Sequence, residues 1–188
     1  YGKSYGYGFW YQQLDIGAHI EEYGPQNRFR YGFAQWQCEQ HLWAFEQISD
    51  AVPQHGEGLA GIRYTLPGRT PVPLLHEAEV CHLQDVADLI DAGRWLMLGL
   101  AVLWLPLGLL CIRLGIPPMR RRIGITVFAL GAMIAWLAIA GPTQIFYQFH
   151  LWLFPAENQW FFYWQDSLMS TLMKAPVLFG GIAAAIAI

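Results

Sequence analysis

The run RWLMLGLAVLWLPLGLLCIR, residues 94–113, decides the fold class. Between Arg94 and Arg113 stand eighteen residues without a formal charge, Trp95 to Ile112, dominated by leucine. About 20 apolar residues at ~1.5 Å rise each cross a ~30 Å hydrocarbon core, so the run reads as a membrane-spanning helix. Leu105-Pro106-Leu107-Gly108 predicts a kink, which spans tolerate. After the turn Gly115-Ile116-Pro117-Pro118 and the basic triplet Arg120-Arg121-Arg122, a second apolar run extends from Ile123 to Ala140 and ends at Gly141-Pro142. A third begins near Pro176 and reaches Ile188 after thirteen residues, too few to span, so it reads as the start of a last helix that is cut short.

Composition agrees with that reading. The chain has 188 residues, 55% apolar and 13% charged, about half the charge of an ordinary soluble domain. Intrinsic disorder, which needs low hydrophobicity and high net charge, is excluded. A net charge of −3 gives no footprint for nucleic acid, and three cysteines make no disulfide scaffold. The charges are segregated. Residues 1–94 carry six basic and twelve acidic side chains, whereas residues 95–188 carry five basic and two acidic ones. The first half therefore reads as a water-exposed domain and the second as a set of spans.

Four basic residues cluster between Arg113 and Arg122, and the positive-inside rule assigns that short connection to the cytoplasm. Residues 1–94 and the 142–175 connection then share the extracytoplasmic side, and a further span ahead of residue 1 is expected to deliver the first domain there. The expected fold class is a mainly α integral membrane protein. Its bundle shows three helices, the last truncated, of four expected in the full protein, with a small mixed α/β extracytoplasmic domain at 1–94. In that domain, helical spacing of Trp36, Trp43, Phe45 and Ile48 predicts a helix over 33–52, closed by Pro53. The turn signal Pro67-Gly68-Arg69 predicts a hairpin over 61–75, and a helix is expected over 75–92. The remaining expected segments are spans at 95–114 and 123–141, a basic cytoplasmic loop at 115–122, an aromatic interface loop at 142–175 and the start of the last span at 176–188.

Two segments carry candidate chemistry. In Leu75-His76-Glu77-Ala78-Glu79-Val80-Cys81-His82-Leu83-Gln84-Asp85-Val86, residues Glu79, His82 and Asp85 recur every three positions, along one side of a helix. In Gln148-Phe149-His150-Leu151-Trp152-Leu153-Phe154-Pro155-Ala156-Glu157-Asn158-Gln159-Trp160, His150 is the only histidine after residue 82. Topology puts both histidines on the outer side. A straight helix from Trp95 would lift His82 roughly 20 Å into water, so a bend at Ala92-Gly93 is expected, laying that helix over the bilayer surface and bringing the two imidazoles together. His19, His41, His55 and His76 read as surface or packing residues. Cys81 lies beside His82 without any feature that would activate it, and a pairing of Cys38 with Cys81 stays open. The chain has no G-x-S-x-G, Walker A, G-x-G-x-x-G or H-E-x-x-H pattern. Histidine and carboxylate at a membrane surface remain, suited to acid–base chemistry on a lipid or to a metal site.

At these segments the sequence resembles the lipoprotein intramolecular transacylase family of integral membrane proteins. The resemblance rests on Glu79-x-x-His82-Leu83-x-Asp85-Val86 ahead of a span, and on Phe149-His150-x-x-x-Phe154 followed by Trp160 and Asp166. It covers most of the chain, in the order soluble part, span, basic loop, span, aromatic loop, span. It implies a multi-pass enzyme of the inner membrane with its site on the extracytoplasmic side, acting on bacterial lipoproteins and membrane lipid. The reaction moves an acyl chain from the diacylglyceryl group of a lipoprotein's N-terminal cysteine to that cysteine's α-amino group. His82 and His150 map by motif onto the family's two essential histidines. No metal, cofactor or nucleic acid is implied.

Elementary chemistry is compatible with that reaction. The substrate brings its own nucleophile, and a free imidazole near pKa 6.5 can take a proton from an α-amine near 7.7–8.0 without a large mismatch. His82 is expected to be the base, oriented by Glu79 or Asp85. His150 is expected to stabilise the oxyanion and protonate the leaving alkoxide, with Asn158 as a candidate second donor. Trp152, Phe154 and Trp160 read as an interface belt or an acyl-chain cradle. Two alternatives stand beside this reading: a metal-dependent membrane hydrolase using Glu79, His82, Asp85 and His150, and a non-catalytic lipid- or lipoprotein-binding membrane protein.

Overall fold

The computed structural model of the chain describes residues 6–115 and 118–187. These residues are mostly helical: α1 (Tyr7–Gln13), α2 (Ile16–Tyr23), α3 (Cys38–Ala51), α4 (Glu77–Leu114), α5 (Met119–Ala140), α6 (Pro142–Leu153), α7 (Leu168–Thr171) and α8 (Ala175–Ala187). Two short strands, β1 (Arg63–Tyr64) and β2 (Val72–Pro73), pair antiparallel with Arg63 opposite Pro73 and Tyr64 opposite Val72. The chain forms two compact units. One takes residues up to Asp88 together with those from Asn158 onward, and the other is Leu89–Glu157.

The core of the first unit is assembled from both ends of the chain. Tyr7, Ile16, Ile20, Phe33, Phe45, Ile48, Leu59, Leu74, Leu83, Leu168, Leu172 and Leu178 are all buried there. On α3 the inward side is His41, Ala44, Phe45, Ile48 and Ala51, a spacing of three and four that matches the helical repeat. Trp43, expected inside, is 38% exposed. Tyr7 stacks on Phe45 at 3.9 Å between ring centres, and its hydroxyl donates to the Leu172 carbonyl. Gly181 of α8 sits so close under the Trp10 ring that a β-carbon there would come within 2.8 Å of it. The described part of α8 thus belongs to the packing of the first unit through Leu178 and Gly181.

The hairpin forms where the turn residues place it. Pro67 and Gly68 make the corner, with Gly68 at φ +72° as the third position of a type II turn requires. The Arg69 amide donates to the Leu66 carbonyl at 3.0 Å.

The helices expected separately over 75–92 and 95–114 are one continuous α4 of 38 residues. Neither a stop nor a break occurs at Ala92-Gly93. A glycine in a helix interior costs only about 1 kcal/mol relative to alanine, and extending an existing helix is far easier than nucleating one. Pro106 is likewise accommodated inside α4. At the other boundaries, Arg120, Arg121 and Arg122 lie in the first turns of α5 and not in a loop, and residues 142–153 of the expected aromatic loop are the helix α6. Among the described residues two helices, α4 and α5, are long and apolar enough to cross a membrane. Their apolar side chains point outward: Trp95, Trp104, Ile112 and Phe128 are each more than 70% exposed.

Histidine 41 records the dryness of the core. Its Nε2–H donates to the Phe33 carbonyl at 3.4 Å, and its Nδ1 lies 2.9 Å from the Tyr11 hydroxyl, which donates to it. Burial holds the imidazole below the ordinary histidine range and pushes the Tyr11 hydroxyl up to about 12. The folded state therefore refuses a proton that the unfolded chain accepts near pH 6.5. Stability is complete above that pH and declines as the pH falls below it. Thermal unfolding followed between pH 7.5 and 5 should show this loss, and His41→Asn should flatten the pH dependence while lowering stability throughout.

Candidate active site

The first turn of α4 is built around a buried carboxylate. Glu79 is 1% exposed, and four donors converge on it. Oε1 accepts from the Ser167 hydroxyl at 2.9 Å and the Leu168 amide at 2.6 Å. Oε2 accepts from Arg30 Nη2 at 3.1 Å and the His76 amide at 3.0 Å. A carboxylate has about four acceptor positions, so these donors account for its capacity. Arg30 is oriented by its other nitrogens, Nε donating to the Leu74 carbonyl and Nη1 to that of Phe29. Burial pulls the Arg30 guanidinium below the ordinary arginine range, opposed by the facing Glu79.

A second layer closes over this pair. His76 Nε2–H donates to the Asp166 carbonyl at 2.9 Å, which fixes its tautomer. The Asp166 carboxylate receives Arg28 side-on, Nε and Nη2 each at 2.6 Å, and the Arg28 amide donates to the Gln165 carbonyl at 2.8 Å. Segments 27–30 and 165–168 are thereby tied to the start of α4.

His82 lies one turn further along, half-buried, with the Phe162 ring 5.7 Å away. Phe162 also meets His76 at 5.9 Å, so one aromatic ring serves both imidazoles. Three residues on, Asp85 accepts from Asn158 Nδ2 at 3.0 and 2.8 Å. Steps of three residues rotate about 60° backwards around a helix. Glu79 accordingly faces the core, and Asp85 stands at the edge of a cleft of about 500 Å³. The cleft is walled by Ala60, Pro73, Leu75, Val80 and Cys81, with Glu77, Gln84 and Asp85 as its polar residues.

His150 belongs to the second unit. It sits in the last turn of α6 with Nδ1–H donating to the Phe146 carbonyl at 2.8 Å. In the neutral ring the basic lone pair is then on Nε2. The imidazole is packed among Phe146 at 4.0 Å, Phe149 at 6.0 Å and Phe154 at 5.2 Å between ring centres. Of the three expected cradle residues, Phe154 is buried against this ring, Trp152 is 77% exposed, and Trp160 is half-buried in the first unit beside Phe161.

A family model described as lipoprotein intramolecular transacylase Lit matches residues 69–174, more than half of the chain. The chain belongs to the Lit family. Membership gives it, in general terms, a lipoprotein transacylase role and a transferase activity. Comparison with curated proteins and with solved structures finds no match. The Lit match includes His82, His150, Glu79, Asp85 and Asn158, but not Arg28 or Arg30.

Within this Lit-family chain the structure joins Glu79 to Arg30, His76 and Ser167, and Asp85 to Asn158. Arg30 and Ser167 went unrecognised in the sequence, and His76, read as surface or packing, proves part of the polar layer. Among the described residues no group of three or more His, Cys, Asp or Glu converges as metal ligands. Cys38, Cys81 and Cys111 are free thiols, which closes the open question of a Cys38–Cys81 pairing.

Removing one member of a buried ion pair typically costs about 3–5 kcal/mol. Arg30→Ala and Glu79→Ala should each destabilise the first unit by about that much, measured by thermal or denaturant unfolding. Ser167→Ala, which removes one donor to the buried carboxylate, should cost about 2 kcal/mol.

Proposed function

We propose that the chain transfers an acyl chain from the glyceryl ester of a lipoprotein's N-terminal diacylglyceryl-cysteine to the α-amino group of the same cysteine. The observation that carries this reading is the Lit match over 69–174, which includes both histidines singled out by their sequence setting. The outward-facing apolar sides of α4 and α5 support a membrane location. The basic residues between Arg113 and Arg122 support a cytoplasmic position for that connection and an extracytoplasmic one for the chemistry.

In the proposed reaction His82 accepts a proton from the α-amine as its nitrogen attacks the ester carbonyl. A C–N bond forms and a tetrahedral oxyanion develops. His150, entering the step protonated on Nε2, stabilises that charge and, as the ester C–O bond breaks, supplies this proton to the departing glyceryl oxygen. His82 then passes its proton to solvent, and His150 recovers one. The products are an amide on the cysteine nitrogen and a free glyceryl hydroxyl, so one O-linked and one N-linked chain remain. Nucleophile and electrophile belong to one molecule, so the enzyme needs only to orient them and handle protons, and orientation is a large source of rate. Phe162 beside His82 would position the base, and Trp152, Phe154 and Trp160 would receive acyl chains.

Mass spectrometry of lipoprotein N-termini tests this in a bacterium that makes diacyl lipoproteins and expresses the full-length gene. The native sequence should yield lyso-form lipoproteins. His82→Ala and His150→Ala should each lower that product by at least ~10² with protein levels unchanged. Unaltered product in both variants would overturn the histidine assignment. Absence of product from the native protein, with lipoproteins still co-purifying, would favour a binding role.

A further inference from the structure

We infer that the cleft beside α4 is a binding site for a primary ammonium carried on an apolar stem, and that under the function proposed above its ligand is the α-ammonium of the lipoprotein substrate before proton removal. The walls carry the apolar side chains of Leu75, Val80 and Cys81. Two carboxylates, Glu77 and Asp85, line it, and among the described residues no lysine, arginine or histidine does. Such a cleft repels phosphate headgroups and carboxylates and attracts a cation that brings hydrocarbon with it. A volume of about 500 Å³ falls within the range of small-ligand sites.

Its two acids differ in stiffness. Glu77 is exposed at the helix start. Asp85 is half-buried and held by the Asn158 amide on both oxygens. That amide uses two of about four acceptor positions on the carboxylate, so the group is oriented and keeps capacity for a further donor. The third cleft polar residue, Gln84, is committed to the His55 carbonyl and to Asp88. Asp85 is thus the fixed anion of the cleft, and it follows His82 by three positions on one helix, a spacing at which side chains neighbour each other. An ammonium waiting on Asp85 loses one proton to solvent to become the attacking amine, and it is then one helical turn from the base that takes the second proton during attack. Asp85 is in this sense a substrate-positioning residue.

Cys81 in the cleft wall reports occupancy. In the full chain carrying Cys38→Ser and Cys111→Ser it is the sole thiol, and a His82→Ala background prevents turnover. The rate of Cys81 alkylation by N-ethylmaleimide in detergent is then measured with a synthetic dipalmitoylglyceryl-cysteine lipopeptide and with its N-acetylated form. The free-amine lipopeptide should slow alkylation, the acetylated one should not, and Asp85→Asn should remove the protection. In the otherwise native enzyme Asp85→Asn, which preserves the acceptor for Asn158, should raise KM about tenfold with kcat little changed. Should that variant fold poorly, Glu77→Gln at the exposed rim should raise KM in the same direction by less. Equal protection by both lipopeptides, absence of protection, or a native KM in Asp85→Asn would overturn the site while leaving the transacylase reading intact. Amine-dependent protection with no acyl transfer by the native enzyme would uphold the site and overturn that reading.

Discussion

A carboxylate with 1% of its surface exposed can stay charged only if its surroundings replace water in full, and Glu79 is held in that condition by donors from three separate stretches of chain. Arg30 comes from an early loop, His76 from the residue before α4, and Ser167 with Leu168 from the start of α7. Three of these donors are neutral groups, and Arg30 adds a buried ion pair. Together they make the first turn of α4 the point at which the two ends of the polypeptide meet. The position of His82 follows from this anchoring, because it rides on the same helix one turn beyond the anchored residue.

The aromatic content of the chain acquires a structural meaning around that anchor. Phe162 lies against both His76 and His82, and Phe29 lies against His76 at 4.5 Å. Large flat rings beside an imidazole restrict its rotation and keep water from its face. His150 is treated in the same way, with the Phe146 carbonyl fixing its tautomer. Both histidines singled out from sequence therefore sit in aromatic surroundings, one in each unit.

Much of this was legible in the sequence, and the misses have physical causes. The apolar runs, the hairpin and its Pro67-Gly68 corner, and the helix carrying Phe45 and Ile48 follow from periodicity and turn chemistry, which are local. The continuity of α4 did not follow, because Gly93 looks like punctuation although one glycine is a small cost within a long helix. The first helices, α1 and α2, were not anticipated from the sequence. Tyr7, Trp10, Tyr11 and Leu14 nevertheless stand at the positions i, i+3, i+4 and i+7 of a helix face. Glu79 was noticed for its spacing with His82 and Asp85, but its partners were invisible. Arg30 is 49 positions away and Ser167 is 88, and no pattern short of tertiary structure links them. Trp43 and His41 exchanged their expected places, since an imidazole with both nitrogens bonded is content in the interior.

The guanidinium that neutralises Glu79 comes from upstream of the segment shared with Lit relatives, while the acid lies inside it. That segment is consequently not a self-sufficient module. Excised at its own boundaries, it would keep the His76, Ser167 and Leu168 donors to this acid but bury its charge without a counter-ion. Transplanting the segment between family members would demand that the early loop travel with it, or that the recipient supply a cation of its own.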